Sequence, residues 1–402
     1  MNINKCNVTW DTPSEDSLGS MPLGNGDLGA NVWVTDDGVV HLFLSKTDAW
    51  DDSCRLVKLA ELAIRAAPSV AAAMRRGFVH ELRLSEAAMV IRFGDADAPE
   101  LTLRLWADAN RPVIWVEATA GDPDATLDFE LSTWRTQHRE LPLGESDAST
   151  RQDGVHEHAY EYPDQMLEPP HLRDDQIGIV HRNQSSILPG LLTHQQLDDL
   201  IDRIDDPLID RTFGCAIHCT LGSASASRDE FRQTLTCRSQ SGATTVAIVA
   251  HCDRTPSLDA WADALRDKLA DAAQTDVDAA RREHEQWWQA FWQRSFIDVT
   301  GDAVADRITQ VYQLHRYVTA CAGRGAFPIK FNGSIFTVQG PPEQRHDWDE
   351  AKLFNADYRR WGGGYWFQNT RLIYWSLLMS GDFEMIRPWF DLFEQVAPLC
   401  RH

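Results

Sequence analysis

Along the first third of the chain, apolar side chains recur at every second position. Leu127, Phe129 and Leu131 alternate with Asp128 and Glu130, and Leu101, Leu103 and Leu105 alternate with Thr102 and Arg104. Successive side chains of a strand point to opposite faces, so this period marks strands with one face buried. Asn110-Arg111-Pro112 supplies a turn before the apolar Val113, Ile114 and Val116. Many short strands punctuated by Gly, Asp and Pro predict a β-sandwich. Residues 56–74, rich in Leu and Ala, read as partly helical with a break at Pro68. Residues 135–190 are polar and carry Pro163, Pro169 and Pro170. They predict a long excursion from the sandwich, followed by a short helix over 193–204. Strands resume over 213–219, 231–237 and 244–252.

Near residue 255 the period becomes helical. Ser257 followed by an acidic first turn is a helix start. Helices are predicted over 261–273 and 277–292, and again over 302–321, where Ile308, Val311, Tyr312 and His315 fall at helical spacing. An aromatic-rich loop occupies 324–364. Two further helices, 366–378 and 383–398, are separated by Gly381-Asp382. The pattern predicts a β-then-α, multi-domain chain. A β-sandwich spans 1–255 with a long insertion near 135–212, a helical linker spans 256–298, and antiparallel helices fill 299–402.

Composition narrows the function classes. The 402 residues carry a formal net charge of −22, which opposes nucleic acid and anionic membrane as partners. No stretch approaches the roughly 20 apolar residues of a membrane span. The opening MNINKCNVTW has no signal-peptide pattern. The expectation is a cytoplasmic protein as given, or a periplasmic or secreted one if a leader is missing. The sequence leaves the oligomeric state open. Fifteen tryptophans are the most unusual count. Indoles are large flat apolar faces and suit the C–H faces of sugar rings, although most are expected in the core. Eight cysteines are scattered without a disulfide framework. Cys215, His218 and Cys219 make half a zinc site with no second pair, and His156-Glu157-His158 reads as solvated loop. No metal and no cofactor are expected.

Candidate chemistry concentrates in two places. Gly24, Gly26 and Gly29 fall close together, allowing a tight turn or a close backbone approach. Gly362-Gly363-Gly364 precedes a helix whose first turns carry Trp366, Gln368, Asn369 and Arg371. Free helix N–H groups bind oxygen there, and an Asn amide both donates and accepts. Asp347, Asp349, Glu350 and Asp357 lie just upstream. Each is a candidate acid–base carboxyl, though loop carboxylates are more often simply solvated.

Two runs carry a resemblance. MPLGNGDLGANVW, from Met21 to Trp33, is similar to the opening sandwich motif of glycoside hydrolase family 95, the α-L-fucosidase and α-L-galactosidase family. WGGGYWFQNTRLIYW, from Trp361 to Trp375, with FNGSIF upstream, resembles the loop and inner helix that open the sugar site there. SKTDAW from Ser45, FPIKFN from Phe327, and the run from Asp206-Pro-Leu to Arg211-Thr-Phe-Gly214 resemble a group of bacterial proteins, domain of unknown function family 5703. The resemblance implies a six-hairpin glycosidase, with the 299–402 helices as the beginning of an (α/α)6 toroid. It implies an inverting hydrolase acting on an α-linked deoxy or neutral sugar of an oligosaccharide or glycan. Asn369 falls on the second of two family asparagines that position the attacking water. The first falls on Phe367, which cannot hydrogen-bond. Arg360, Trp361, Trp366 and Gln368 would bind the sugar, with Asn332 and Asn25 nearby. Only part of a toroid is present, and in the related enzymes the general acid lies further on. The expectation is a C-terminally truncated fragment that lacks that acid and is inactive alone. The rival reading is a non-catalytic carbohydrate-binding or structural protein.

Overall fold

The computed structural model describes residues 2–141, 159–340, 355–359 and 363–401. Within them, two antiparallel sheets form the sandwich. The larger has nine strands, in the order Val8–Trp10, Phe78–Arg83, Ala88–Asp95, Ala98–Ala107, Val113–Ala120, Ala243–Arg254, Arg211–Leu221, Gln176–Arg182 and Gln165–Met166. The smaller has seven: Ser223–Asp229, Arg232–Arg238, Thr126–Ser132, Leu56–Ala67, Val40–Trp50, Leu28–Val34 and Met21–Gly24. The alternating positions face inward as their period requires. Leu101, Leu103 and Leu105 share one apolar core with Leu127, Phe129 and Leu131.

Three sequence expectations need correction. Residues 56–67 are a strand, and only Ala71–Met74 is helical. That strand lies in mid-sheet between Val40–Trp50 and Thr126–Ser132 and is buried on both faces along its first half. It therefore shows no alternation, and its Leu and Ala content reads as helix. The polar excursion is not wholly outside the sandwich, because Gln176–Arg182 pairs along its length with Arg211–Leu221. The short helix comes earlier, at Leu188–His194, and a 3-10 turn over Asp198–Arg203 follows it.

The last sandwich strand ends at Arg254, and the long helices follow. Helix α1, Leu258–Gln274, starts where the Ser257 side chain accepts from the Ala260 N–H at 3.2 Å. It lays Trp261, Leu265 and Leu269 against Trp106, Trp115 and Val249 of the nine-stranded sheet. Helix α2, Val277–Arg294, buries Trp288, Phe291 and Trp292, and the Trp292 indole donates to the Leu84 carbonyl at 2.8 Å. Helix α3 is Ala303–Ala320, α4 is Phe367–Ser380 and α5 is Arg387–Val396. Gly381 (φ 75°) caps α4 in the left-handed region. The buried Arg316 of α3 pairs with Asp382 just beyond, at 3.0 Å.

The face of α3 differs from expectation. Ile308 is 52% exposed and Val311 51%, while Thr309, Gln313, Arg316 and Tyr317 are buried. Among the polar members of the buried set, Gln313 donates to the Ile297 carbonyl and Arg316 to Asp382, while among the described residues Gln313 Oε1 has no hydrogen-bond partner. Leu372, Trp375, Leu378 and Met379 of α4 and Phe390 of α5 are also exposed. No helix among the described residues is long and apolar enough to cross a membrane.

Candidate functional site

The glycine run joins the sandwich to the helices. A Cβ at Gly24 would collide with the Cys321 carbonyl at the end of α3. Gly26 (φ 104°) donates to that same carbonyl at 3.0 Å and accepts from the Arg324 N–H at 2.8 Å. Arg324 in turn covers the Trp287 ring, 4.0 Å from its centre. The close approach permitted by these glycines is therefore between the strand Met21–Gly24 and the chain leaving α3.

Beyond Arg324 the chain crosses the sandwich and helps build an apolar pocket of about 180 Å³. Its lining includes Trp50, Leu191, Leu208, Arg211, Phe327, Tyr365 and Leu392. The aromatic walls are fixed. The Trp50 ring lies 6.0 Å from Phe327 and 5.8 Å from Tyr365. The Trp50 indole donates to the Thr47 carbonyl at 3.1 Å, and the Tyr365 hydroxyl to the Pro328 carbonyl at 3.1 Å. The Arg211 guanidinium sits 5.4 Å from the Phe327 ring centre. Lys330 Nζ donates to the Gly364 carbonyl at 2.5 Å and lies 4.7 Å from the Tyr365 ring centre. Burial, with the Arg359 charge adding to it, lowers the Lys330 amine to about 7. Flat apolar walls with the Arg211 guanidinium among them make a surface for a ligand with apolar faces and polar edges.

Beside the pocket lies a chain of buried charges. Asp357 Oδ2 accepts from Arg135 Nη1 and Trp134 Nε1, both at 2.7 Å, and Oδ1 accepts from the Lys58 N–H at 2.6 Å. Arg135 also pairs with Asp164 at 2.9 Å. Asp164 and Asp52 flank His181, at 2.9 and 3.3 Å. Burial opposes charge on His181, but its hydrogen bonds to Asp164 and Asp52 outweigh that and raise it to about 9. Lys58 Nζ donates to Asn31, Ser45 and the Ile335 carbonyl, and burial holds its pKa well below the usual lysine value.

The candidate residues are distributed unevenly. Asn369 is half-buried on the first turn of α4, whose Thr370 and Tyr374 face inward. Trp366 is 54% exposed and Gln368 is exposed. The Trp366 indole packs so close over Gly364 that a Cβ there would collide with it. Asn332 is half-buried, and its carbonyl accepts from Arg359 Nη1 at 2.5 Å. Asn25 is committed elsewhere. Its amide donates to the Asp108 and Arg111 carbonyls and accepts from the N–H groups of Asp27 and Leu28. Nothing of that amide is left for a ligand, so Asn25 shapes the glycine turn. Asp357, with both oxygens engaged and sealed in, is likewise not available as an acid. Arg360, Trp361, Asp347, Asp349, Glu350 and the His156–His158 run lie outside the described residues. Among the described residues no group of His, Cys, Asp or Glu is placed to hold a metal ion.

The sequence reading did not single out the pocket walls. Trp50, Phe327 and Arg211 each lie in a quoted family run, but they meet only through long-range packing. That shared position in three motif-bearing segments was the available signal.

A family model described as Domain of unknown function (DUF5703) matches residues 9–297. No curated protein matches the chain. Among solved structures, a human-microbiome protein assigned as a kojibiose phosphorylase is similar at a TM-score of 0.53 and 10% identity, over 84% of this chain and 44% of that one. A bacterial glucoamylase complexed with acarbose aligns at a TM-score of 0.43 and 8% identity, over 97% of this chain and 54% of that one. The chain thus spans less than half the length of the first and about half that of the second. At such identity the first likeness is one of fold.

Proposed function

The chain belongs to the DUF5703 family, and we propose that it is part of a carbohydrate-active enzyme, an inverting glycoside hydrolase of the family 95-like, six-hairpin type. Its substrate would be a neutral or deoxy sugar in α-linkage, as for an α-L-fucosidase or a related exo-glycosidase. The observation that carries this reading is the fixed aromatic pocket of Trp50, Phe327 and Tyr365 at the sandwich–helix junction, with α4 beginning at its edge. The fold likeness to a protein assigned as a kojibiose phosphorylase supports it.

In this reading Asn369 holds the attacking water. Arg360, Trp361, Trp366, Gln368 and Asn332 contact the sugar, while Asn25 sets the turn that brings the sandwich to the site. Hydrolysis by two carboxyls requires no metal or cofactor. Asp357 is already committed, so the general acid comes from elsewhere. The uncovered apolar faces of α3, α4 and α5 suit further helices of the toroid, and such helices would bring the acid.

The test is a screen of the protein from its whole reading frame against aryl α-glycosides and α-linked oligosaccharides, with and without inorganic phosphate. Hydrolysis with inversion at the anomeric carbon is expected. Turnover only with phosphate would replace hydrolysis by phosphorolysis. Sugar binding without turnover under any condition would favour the non-catalytic carbohydrate-binding reading.

A further inference from the structure

The pocket at the junction is lined almost wholly by apolar side chains. Trp50 closes a strand of the smaller sheet, and Leu191 comes from the short helix Leu188–His194. Phe327 and Tyr365 come from the chain between α3 and α4, and Leu392 from α5. The polar ends of the aromatic walls are spent. The Trp50 indole and the Tyr365 hydroxyl both donate to backbone carbonyls, of Thr47 and Pro328, so neither has a hydrogen left to offer. Among the described residues Arg211 is the one charged member of the lining. Its guanidinium is held in place, with Nε donating to the Pro207 carbonyl at 2.9 Å and Nη1 to the Asp48 carbonyl at 3.3 Å. Among the described residues Nη2 makes no hydrogen bond and Arg211 no ion pair. The Asp48 carboxylate is taken by Lys46 at 2.8 Å.

An apolar cavity of about 150 Å³ accepts benzene. At about 180 Å³, this pocket has room for one six-membered ring with a small substituent, and chemistry decides which ring. A sugar ring carries hydroxyls on most of its carbons. Each would give up its water here and find few partners in the lining to replace it. An aromatic ring gives up little by entering and meets the rings of Trp50, Phe327 and Tyr365. A carboxylate on its edge would accept from the unused Nη2 hydrogens of Arg211, a charge-assisted bond. We propose that the pocket binds an aromatic ring bearing one carboxylate. Its role rests on the glycosidase reading: the ring is the aglycone of the substrate, and the sugar lies outside the pocket, towards Gln368 and Asn369 at the start of α4. The net charge of −22 does not exclude such an anion, because exposed charges are screened beyond about 8 Å at physiological salt.

The experiment titrates the protein from its whole reading frame with 4-hydroxybenzoate in a calorimeter near pH 7. A sugar would be attached at the phenolic oxygen of this probe, so the free acid reports on the pocket without turnover. One equivalent should bind, about tenfold or more tighter than methyl 4-hydroxybenzoate, which keeps the ring and loses the charge. Acetate, which keeps the charge and loses the ring, and free neutral hexoses should not displace it. R211Q should weaken binding of the acid by about tenfold or more and leave binding of the ester within about twofold. L392W, which fills the pocket from α5, should abolish binding of both. The proposal is overturned by no binding of the acid, by equal binding of acid and ester, by displacement with a neutral hexose, or by binding that persists in L392W. If R211Q does not fold, the acid–ester comparison in the wild type and the L392W titration decide the matter. A 4-hydroxybenzoate glycoside added to the hydrolysis screen separates the two readings. Binding of the acid with no hydrolysis of any glycoside keeps the ring site and removes its aglycone role, whereas hydrolysis of other glycosides with no binding of the acid removes the ring site alone.

Discussion

His181 is a histidine held between two carboxylates, and its chemistry gives the molecule a pH dependence. Its folded pKa is raised to about 9 against an ordinary value of about 6.5. A raised value means that the charged form is favoured by folding. The stabilisation is complete below about pH 6.5 and is lost as pH climbs through 9. Paired melting curves of wild type and H181Q should differ most near pH 6 and converge towards pH 10. Curves that stay parallel would mean the imidazole is not charged in the fold. Asn369 makes the second residue-scale prediction. On the proposed reading, N369A in the protein from its whole reading frame should lower kcat by about 10²-fold or more while circular dichroism and melting stay unchanged, since water positioning supplies that order of rate. A wild-type kcat would remove Asn369 from the mechanism. Residue types alone did not separate Asn369 from Asn25, or Asp357 from its acidic neighbours. The difference lies in partners distant in sequence: Asn25 is saturated by Asp108 and Arg111, and Asp357 by Lys58 and Arg135.

At the scale of elements, legibility follows how many faces are buried. Strands with one buried face, such as Thr126–Ser132, announce themselves by alternation. The strand Leu56–Ala67, buried on both faces at its start, has no period to read. Ser223–Asp229, an edge strand of Ser, Ala and charged residues with no buried position, carries no apolar signal at all. Helices α3 and α4 were visible from their periods, but not which side would be covered. Ile308 and Trp375 stand exposed, and a contiguous apolar face of this kind marks a surface that binds another element. In the 402-residue chain, the double substitution Trp375→Ser and Leu378→Ser should change folding stability by no more than about 0.5 kcal/mol, as for surface sites. It should also reduce self-association, read as a shift towards monomer in sedimentation velocity. A stability loss of about 2 kcal/mol or more would show that the face is already packed in this chain.

Across the whole molecule, the sandwich and the helical part are joined by charge as well as by apolar packing. Asp357, from the loop before α4, is the acceptor for the Lys58 N–H and the Arg135 guanidinium of the sandwich and for the Trp134 indole. Ile335, in the same loop region, takes the Lys58 ammonium, while the glycine run clasps the end of α3. These contacts give local opening of the helical part a high cost, so the two parts should unfold together in one calorimetric transition. The weight of the joint rests on Asp357. Removing its carboxylate leaves the buried Arg135 guanidinium paired with Asp164 alone among the described ion pairs, and takes the acceptor from the buried Lys58 N–H and the half-buried Trp134 indole. Loss of one partner from a buried ion pair costs about 3–5 kcal/mol. Asp357→Ala should therefore lower the melting temperature by many degrees and separate an early transition of the helical part from a later one of the sandwich. Asp357→Asn keeps an acceptor oxygen and should lose less. Two transitions already present in the wild type, or an Asp357→Ala melting curve that overlays it, would show that the junction is held by apolar packing alone.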